Sequence, residues 1–92
     1  MKNMYKKELG KLANGLIERD IIFTFTAFMN GGKIDWGTCD AICHDGSYGN
    51  CCGLLEIMGD LVDKTKTMDV VEGWLTAEEI LDRIDEKNEK ES

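Results

Sequence analysis

The change from helix to sheet is encoded in Ile21-Ile-Phe-Thr-Phe-Thr-Ala-Phe-Met29, a stretch rich in β-branched and aromatic residues. Alternate positions share one side of an extended chain, and here that side carries Ile21, Phe23, Phe25, Ala27 and Met29. Thr24 and Thr26 point the other way. This period of two, together with the composition, predicts a β-strand.

The preceding segment, residues 4–19, has helical periodicity instead. Its apolar residues recur at spacings of three and four, and they are Met4, Tyr5, Leu9, Leu12, Ala13, Leu16 and Ile17. Such spacing places them on one face of an amphipathic helix, with Asn3 as its N-cap. Gly10 and Gly15 each weaken the helix by up to ~1 kcal/mol relative to alanine, so we expect it to be stabilised by docking.

Beyond the first strand the sequence predicts a hairpin. Asn30-Gly-Gly-Lys33 supplies residues that tolerate positive φ, and Ile34–Trp36 provides the return strand. Gly37 indicates a bulge or bend before a further extended piece, Thr38–His44. The glycine-containing segment Asp45–Asn50 is predicted to be a loop.

Residues 54–62 fit two structures. Helical spacing relates Leu54, Leu55, Met58, Leu61 and Val62. Leu55 and Ile57, however, alternate as in a strand, and the piece is too short for a typical helix. Because Val70–Leu75 reads as a strand that needs a neighbour, a hairpin is favoured, with Asp63–Asp69 as its polar connection.

A second helix is predicted after residue 75. Thr76 and Glu79 have the spacing of a capping box, and Leu75 and Ile80 can form a hydrophobic staple. One apolar face follows, made of Ala77, Ile80, Leu81 and Ile84. The charged residues from Asp85 onward include no apolar side chain, so residues 86–92 are predicted to form a frayed tail.

The element order predicts the fold class. Helix, strands and helix within residues 1–85 correspond to a single α+β domain. The simplest arrangement is an antiparallel sheet of about four strands, with an N-terminal and a C-terminal helix packed on one face. Trp36 and Trp74 both lie at strand positions, where burial against a helix is the expected outcome.

Charge is unevenly distributed along the chain, whose net charge is −7. Residues 1–19 carry five basic and two acidic side chains, and the remainder carries six basic and sixteen acidic ones, a net −10. An acidic body repels nucleic-acid phosphates, which argues against direct binding of DNA or RNA and favours a partner protein with a basic surface. The simpler interpretation of the same charge is solubility.

No apolar run approaches the ~20 residues that span a bilayer, and the N-terminus lacks the hydrophobic region of a signal peptide. These features predict a cytoplasmic protein without membrane contact, in which thiols stay reduced. A homo-oligomer is compatible with the sequence.

Several segments resemble one group of proteins, and they are Asp40–His44, Gly46–Gly49, Gly53–Gly59 and Gly73–Glu79. The segments look like those of small uncharacterised proteins of phages and mobile elements of low-GC Gram-positive bacteria. The likeness covers roughly residues 38–84, and that group has no assigned activity. It implies an accessory protein, such as an inhibitor or regulator that acts on a host system.

The stretch from residue 39 to residue 52 holds the residue types of a metal site. Zinc takes four cysteine or histidine ligands, and the candidates are Cys39, Cys43, His44, Cys51 and Cys52. The spacing argues against zinc, because residues four apart on a strand lie ~13 Å apart and adjacent residues point to opposite faces. The simpler interpretation is that Cys39 and Cys43 are small buried hydrophobic residues.

A thiol nucleophile is a further hypothesis for the same stretch. Cys43, His44, Asp40 and Ser47 supply the residue types of an activated cysteine. Neighbours on a strand do not bring the imidazole within hydrogen-bond reach of the sulfur, although His44 could approach Cys51 or Cys52 across the loop. The simpler interpretation of His44 is a residue at a strand end.

Two sets of polar residues are candidates for binding. The first lies in the 44–52 loop, where glycines permit close backbone approach, and consists of His44, Asp45, Ser47, Tyr48 and Asn50. The second is acidic and consists of Glu72, Glu78, Glu79, Asp82, Asp85 and Glu86. From this second set, Glu72, Glu78 and Asp82 are taken as the contacts to a basic partner.

Together these features predict a non-enzymatic binding or regulatory protein without a cofactor, acting on a host protein. The first alternative is a domain that binds zinc or a small ligand through residues 39–52. The second alternative is a thiol enzyme.

Overall fold

The computed structural model of the chain describes residues 4–29, 31–44, 53–68 and 70–91. Two helices flank five strands in sequence. The elements are α1 (Met4–Glu18), β1 (Thr24–Phe28), β2 (Gly31–Asp35), β3 (Cys39–Cys43), β4 (Leu55–Gly59), β5 (Val71–Leu75) and α2 (Ala77–Glu91).

The first helix ends in a Schellman motif formed by its own sequence. The Ile21 amide donates to the Leu16 carbonyl and the Asp20 amide to the Ile17 carbonyl, the two bonds that define this ending. Asp20 occupies the left-handed position at φ 57°, which aspartate tolerates better than most residues. The chain leaves the helix here and enters the sheet four residues later, at Thr24.

The strands form one antiparallel sheet in the order β1-β2-β3-β4-β5. The α+β class, the antiparallel sheet and the two terminal helices agree with the sequence prediction, and the sheet has five strands where about four were expected. The predicted strand over residues 54–62 is confirmed as β4, which pairs with β3 and β5. A sheet edge therefore lies at β1 and another at β5.

The first hairpin differs from its prediction. Phe28 pairs with Gly31, so residues 31–33 belong to β2 and the chain reverses before them. Gly31 is required by the close approach of the β3 backbone rather than by a turn, whereas the neighbour of Gly32 is the end of a half-exposed side chain. Gly31 has φ 149°, and a Cβ on it would lie 1.8 Å from the Cys43 carbonyl oxygen, while a Cβ on Gly32 would lie 2.9 Å from the Phe25 ring.

One side of the sheet is covered by both helices. The inward side chains of β2 to β5 join those of α1 and α2 in a single core. Its largest fully buried members are Leu9, Leu12, Leu16, Ile34, Leu55, Ile57, Ile80 and Cys43. β1 contributes little to this core, because all five of its residues are exposed.

The second helix begins as its sequence predicts. The Thr76 amide and the Glu79 carboxylate bond at 2.9 Å, and the Glu79 amide donates to the Thr76 hydroxyl at 3.2 Å. A second acceptor comes from α1, because Glu8 Oε1 accepts from the Ala77 amide at 2.8 Å. The backbone is helical to Glu91, and the fraying predicted for residues 86–92 stays a prediction. Among the described residues, no helix is long and apolar enough to cross a membrane.

Candidate protein-binding face

Cys39 and Cys43 lie in the core, as the sequence predicted. They and Ala41 are the inward residues of β3, and the two thiols are 3% and 0% exposed. Burial raises the pKa of both thiols, which disfavours the thiolate that a nucleophile or a metal ligand requires. These two cysteines therefore have the environment of small apolar core residues.

His44 lies on the other side of the sheet from Cys43. Its ring packs edge-on against Phe28, with 5.7 Å between ring centroids, and successive residues of an extended chain point to opposite sides. The adjacent Cys43 and His44 do not form a nucleophilic pair in this arrangement. Among the described residues, no group of three or more histidine, cysteine and acidic side chains is placed to hold a metal ion.

The remaining loop candidates lie outside the described residues. They are Asp45, Ser47, Tyr48, Asn50, Cys51 and Cys52. Their predicted roles in binding, or in a zinc or thiol site, stay predictions.

The acidic candidates separate into internal and exposed groups. Glu72 is only 7% exposed; Arg83 donates to both of its carboxylate oxygens, at 2.6 and 2.8 Å, and the Asp63 amide donates at 2.9 Å. Hydrogen bonding to Arg83 lowers the pKa of Glu72. Glu72 is therefore a structural residue, which corrects its assignment to a binding surface.

Three of the acidic candidates on α2 remain available to solvent. Glu78, Asp82 and Glu86 are exposed, while Glu79 caps the helix and Asp85 is bound by Arg19 at 2.7 and 2.8 Å. These three are the exposed acidic candidates of α2. The sequence of α2 contains no aromatic residue beside them.

A second acidic surface is the side of the sheet away from the helices, which we call the open face. None of the described helices covers it. Its residues are those that alternate with the buried ones along β2, β3 and β4, namely Lys33, Asp35, Asp40, Ile42, Glu56 and Met58, flanked by Phe28, His44, Val71 and Trp74. Acidic and apolar side chains are mixed on it.

The carboxylates of the open face act on one another. Asp35 and Asp40 are directly paired across β2 and β3, and Glu56 is the partner of Ile42 on β4. Burial raises the pKa of the Asp40 carboxyl, Lys33 lowers it, and the nearby Asp35 and Glu56 carboxylates raise it further. With one lysine against three carboxylates, this face is negative, which favours contact with a cationic surface.

Trp74 stands at an irregularity of β5 beside the open face. Leu75 pairs with Leu55 and Glu72 pairs with Ile57, so Gly73 and Trp74 together fall opposite the single residue Glu56. This is the arrangement of a β-bulge. Trp74 has φ 64° and is 55% exposed, so the predicted burial of this tryptophan against a helix is wrong. Trp36, by contrast, packs against the core.

The left-handed conformation of Trp74 costs about 1–2 kcal/mol, because its Cβ approaches the following carbonyl oxygen. Glycine would adopt it without that cost, and Gly73 stands one position earlier. Strained residues of this kind concentrate at binding sites, and tryptophan is enriched among residues that dominate binding energy.

Sequence reasoning missed the open face, although its signal was present. The inward alternation of Cys39, Ala41 and Cys43 implies that Asp40, Ile42 and His44 point outward together. The corresponding residues of β2 and β4 could be added only once the strand pairing was known. Comparison with protein-family models, curated proteins and solved structures gave no match.

Proposed function

We propose that this protein is a non-enzymatic binding or regulatory protein that docks on a basic surface of a host protein through its open face. The exposed and strained Trp74 is the observation that carries the proposal. The three carboxylates of the open face supply charge complementarity, and its apolar residues supply the area that would be dehydrated on contact.

The cellular setting follows from the resemblance to small phage and mobile-element proteins. In that setting the protein is an accessory or counter-defence protein, for example an inhibitor of a host enzyme. The segment that joins β3 to β4, residues 45–52, continues from His44 at one end of the open face, so its polar residues are proposed to extend the same contact.

The placement of the cysteines supports this proposal over the alternatives. A zinc site or a thiol enzyme built on Cys39 and Cys43 would need thiolates, and these two thiols are buried with raised pKa values. Either site would also need the His44 side chain on the same side of β3 as the two sulfur atoms. No described residue outside the core favours either alternative.

The first test compares two variants with equal changes in charge. One is Asp35→Asn/Asp40→Asn/Glu56→Gln on the open face, and the other is Glu78→Gln/Asp82→Asn/Glu86→Gln on α2. Each protein is immobilised and exposed to lysate of a Gram-positive host at low and at moderate salt. We expect the wild type and the α2 variant to capture the same host protein, more strongly at low salt, and the open-face variant to lose it.

The second test uses Trp74→Gly. Relief of the left-handed strain should offset the loss of the partly buried ring, so the free energy of unfolding should change by no more than about 1–2 kcal/mol, while capture of the host protein is lost. Thermal unfolding and the same capture assay measure both quantities on one protein. The proposal fails if the open-face and Trp74 variants capture the partner as well as the wild type does, or if no partner is captured at either salt.

A further inference from the structure

Within the described residues, the outer edge of β1 carries none of the features that protect sheet edges. In the described sheet β1 pairs with β2 alone, in unbroken register from Thr24 to Phe28. Edge strands are normally guarded by charged residues, proline, bulges or a covering element. Residues 21–32 contain no charged residue and no proline, and the register of β1 contains no bulge.

The surface beside this edge is apolar. Ile22 is 89% exposed, Met29 98%, Phe25 49% and Phe28 38%. At about 200 Å² for a fully exposed large side chain, these four residues present on the order of 500 Å² of apolar area in total, with Phe25 on the side of the helices and Phe28 on the open face. A groove of about 270 Å³ between β1 and α1, lined by Leu9, Gly10, Ala13 and Phe25, adjoins it.

We infer that β1 pairs with β1 of a second copy of this chain, antiparallel about a two-fold axis at Thr26, to form a ten-stranded sheet. This pairing places Phe25 opposite Ala27 of the second copy, and Phe23 opposite Met29. Phe25 thus meets the small Ala27 on the side of the helices, and Thr26 meets its own copy on the open face.

The composition of the edge favours a second copy as its occupant. The strand is self-complementary, since every contact is made twice about the axis. No charge is buried in the contact, because none occurs between residues 21 and 32. The apolar area and the added strand approach the ~800 Å² per partner of a standard interface.

The dimer responds to salt in the direction opposite to that of the proposed host contact. Each chain has a net charge of −7, so two copies repel each other, and salt screens that repulsion. Dimer formation should therefore strengthen as salt is raised, whereas binding of a basic host surface weakens. Failure of one proposal is distinguishable from failure of the other.

Sedimentation across a range of concentrations tests the dimer with Thr26→Lys and with the control Met68→Lys. Met68 is fully exposed in the connection between β4 and β5. We expect the wild type and Met68→Lys to dimerise equally. Thr26→Lys places two like charges face to face and should raise the dimer dissociation constant about fivefold, with unchanged thermal unfolding at concentrations where both proteins are monomeric. A wild type that stays monomeric, or a dimer that survives Thr26→Lys, overturns the inference.

Disulfide trapping tests the register itself. Directly opposed residues of antiparallel strands have Cα atoms about 4.5–5.5 Å apart, within the range of a disulfide. In a chain carrying Cys51→Ser and Cys52→Ser, Thr26→Cys should form a covalent dimer under mild oxidation, whereas Thr24→Cys, which faces Phe28 of the second copy, should not. Equal trapping at both positions would exclude the two-fold at Thr26, and trapping at neither would exclude the pairing.

Discussion

The ion pair between Glu72 and Arg83 joins β5 to α2 in the interior of the domain. Arg83 bridges the carboxylate of β5 and the Leu61 carbonyl, at 3.0 Å from the latter, and so closes the connection between β4 and β5. Both side chains are largely buried, at 8% and 18% exposure. Removal of either charge leaves the other without compensation in the protein interior.

This pair should make stability depend on pH. Because Arg83 lowers the pKa of Glu72 in the folded state, the contribution is present above the unfolded pKa of about 4.3 and is lost as the pH falls through the lower folded pKa. Glu72→Gln should cost about 3 kcal/mol at neutral pH and should lack this part of the acid sensitivity. Urea unfolding at several pH values measures both effects.

The exposed Glu86 provides the matched control, since Glu86→Gln changes the same charge on the surface of α2, away from the helix N-terminus. We expect it to retain both the neutral stability and the acid sensitivity of the wild type. If Glu72→Gln lost stability on acidification as steeply as the wild type does, the pair would not be a source of the pH dependence.

At the scale of elements, two glycines of α1 have opposite roles. A Cβ on Gly10 would meet nothing within 4 Å, whereas a Cβ on Gly15 would lie 2.3 Å from Leu81 Cδ1. Gly10 therefore only weakens the helix, and Gly15 allows α1 and α2 to approach each other.

Gly10→Ala should raise the free energy of unfolding by about 0.5–1 kcal/mol, and Gly15→Ala should lower it by about 1–3 kcal/mol through overpacking. Chemical denaturation measures both changes. In a Leu81→Ala background the clash is removed, so Gly15→Ala should become stabilising. A Gly15→Ala penalty that persists in that background would show that contact with Leu81 is not its cause.

Elements whose signal is local were predictable from the sequence, and features that depend on pairing were not. The capping box of Thr76 and Glu79 is contained in four residues, and the alternation of Cys39, Ala41 and Cys43 in five. The exposure of Trp74 depends instead on a bulge, whose position is set by the register between β4 and β5. Glu72 could not be distinguished from its exposed acidic neighbours, because its partner Arg83 reaches it only across the tertiary fold.

At the scale of the whole molecule, the two ends of the chain depend on each other. Glu8 of α1 accepts from the first amide of α2, and Arg19, which immediately follows α1, binds Asp85 of α2. Ile80 and Ile84 complete the core that Leu9, Leu12 and Leu16 enter from α1. The sheet alone does not bury the inner face of either helix.

Truncation of α2 should therefore leave stability almost unchanged up to a definite residue and abolish cooperative folding beyond it. A chain that ends at Asn88 keeps Ile84, Asp85 and Lys87, whose amine pairs with Asp60. Its free energy of unfolding should lie within about 0.5 kcal/mol of that of the full chain. A chain that ends at Glu79 loses these groups with Ile80 and Arg83 and should not fold cooperatively. Circular dichroism during thermal unfolding separates the two, and cooperative unfolding of the shorter chain would contradict the role given to α2.

The same dependence governs biosynthesis. Because α1 precedes α2 in the chain, its apolar face is synthesised before the helix that covers it. At ~5–20 residues per second, the intervening residues 19–76 take roughly 3–12 seconds to make. The nascent chain therefore carries an uncovered apolar helix face over that interval, and the domain closes only after α2 has left the ribosome.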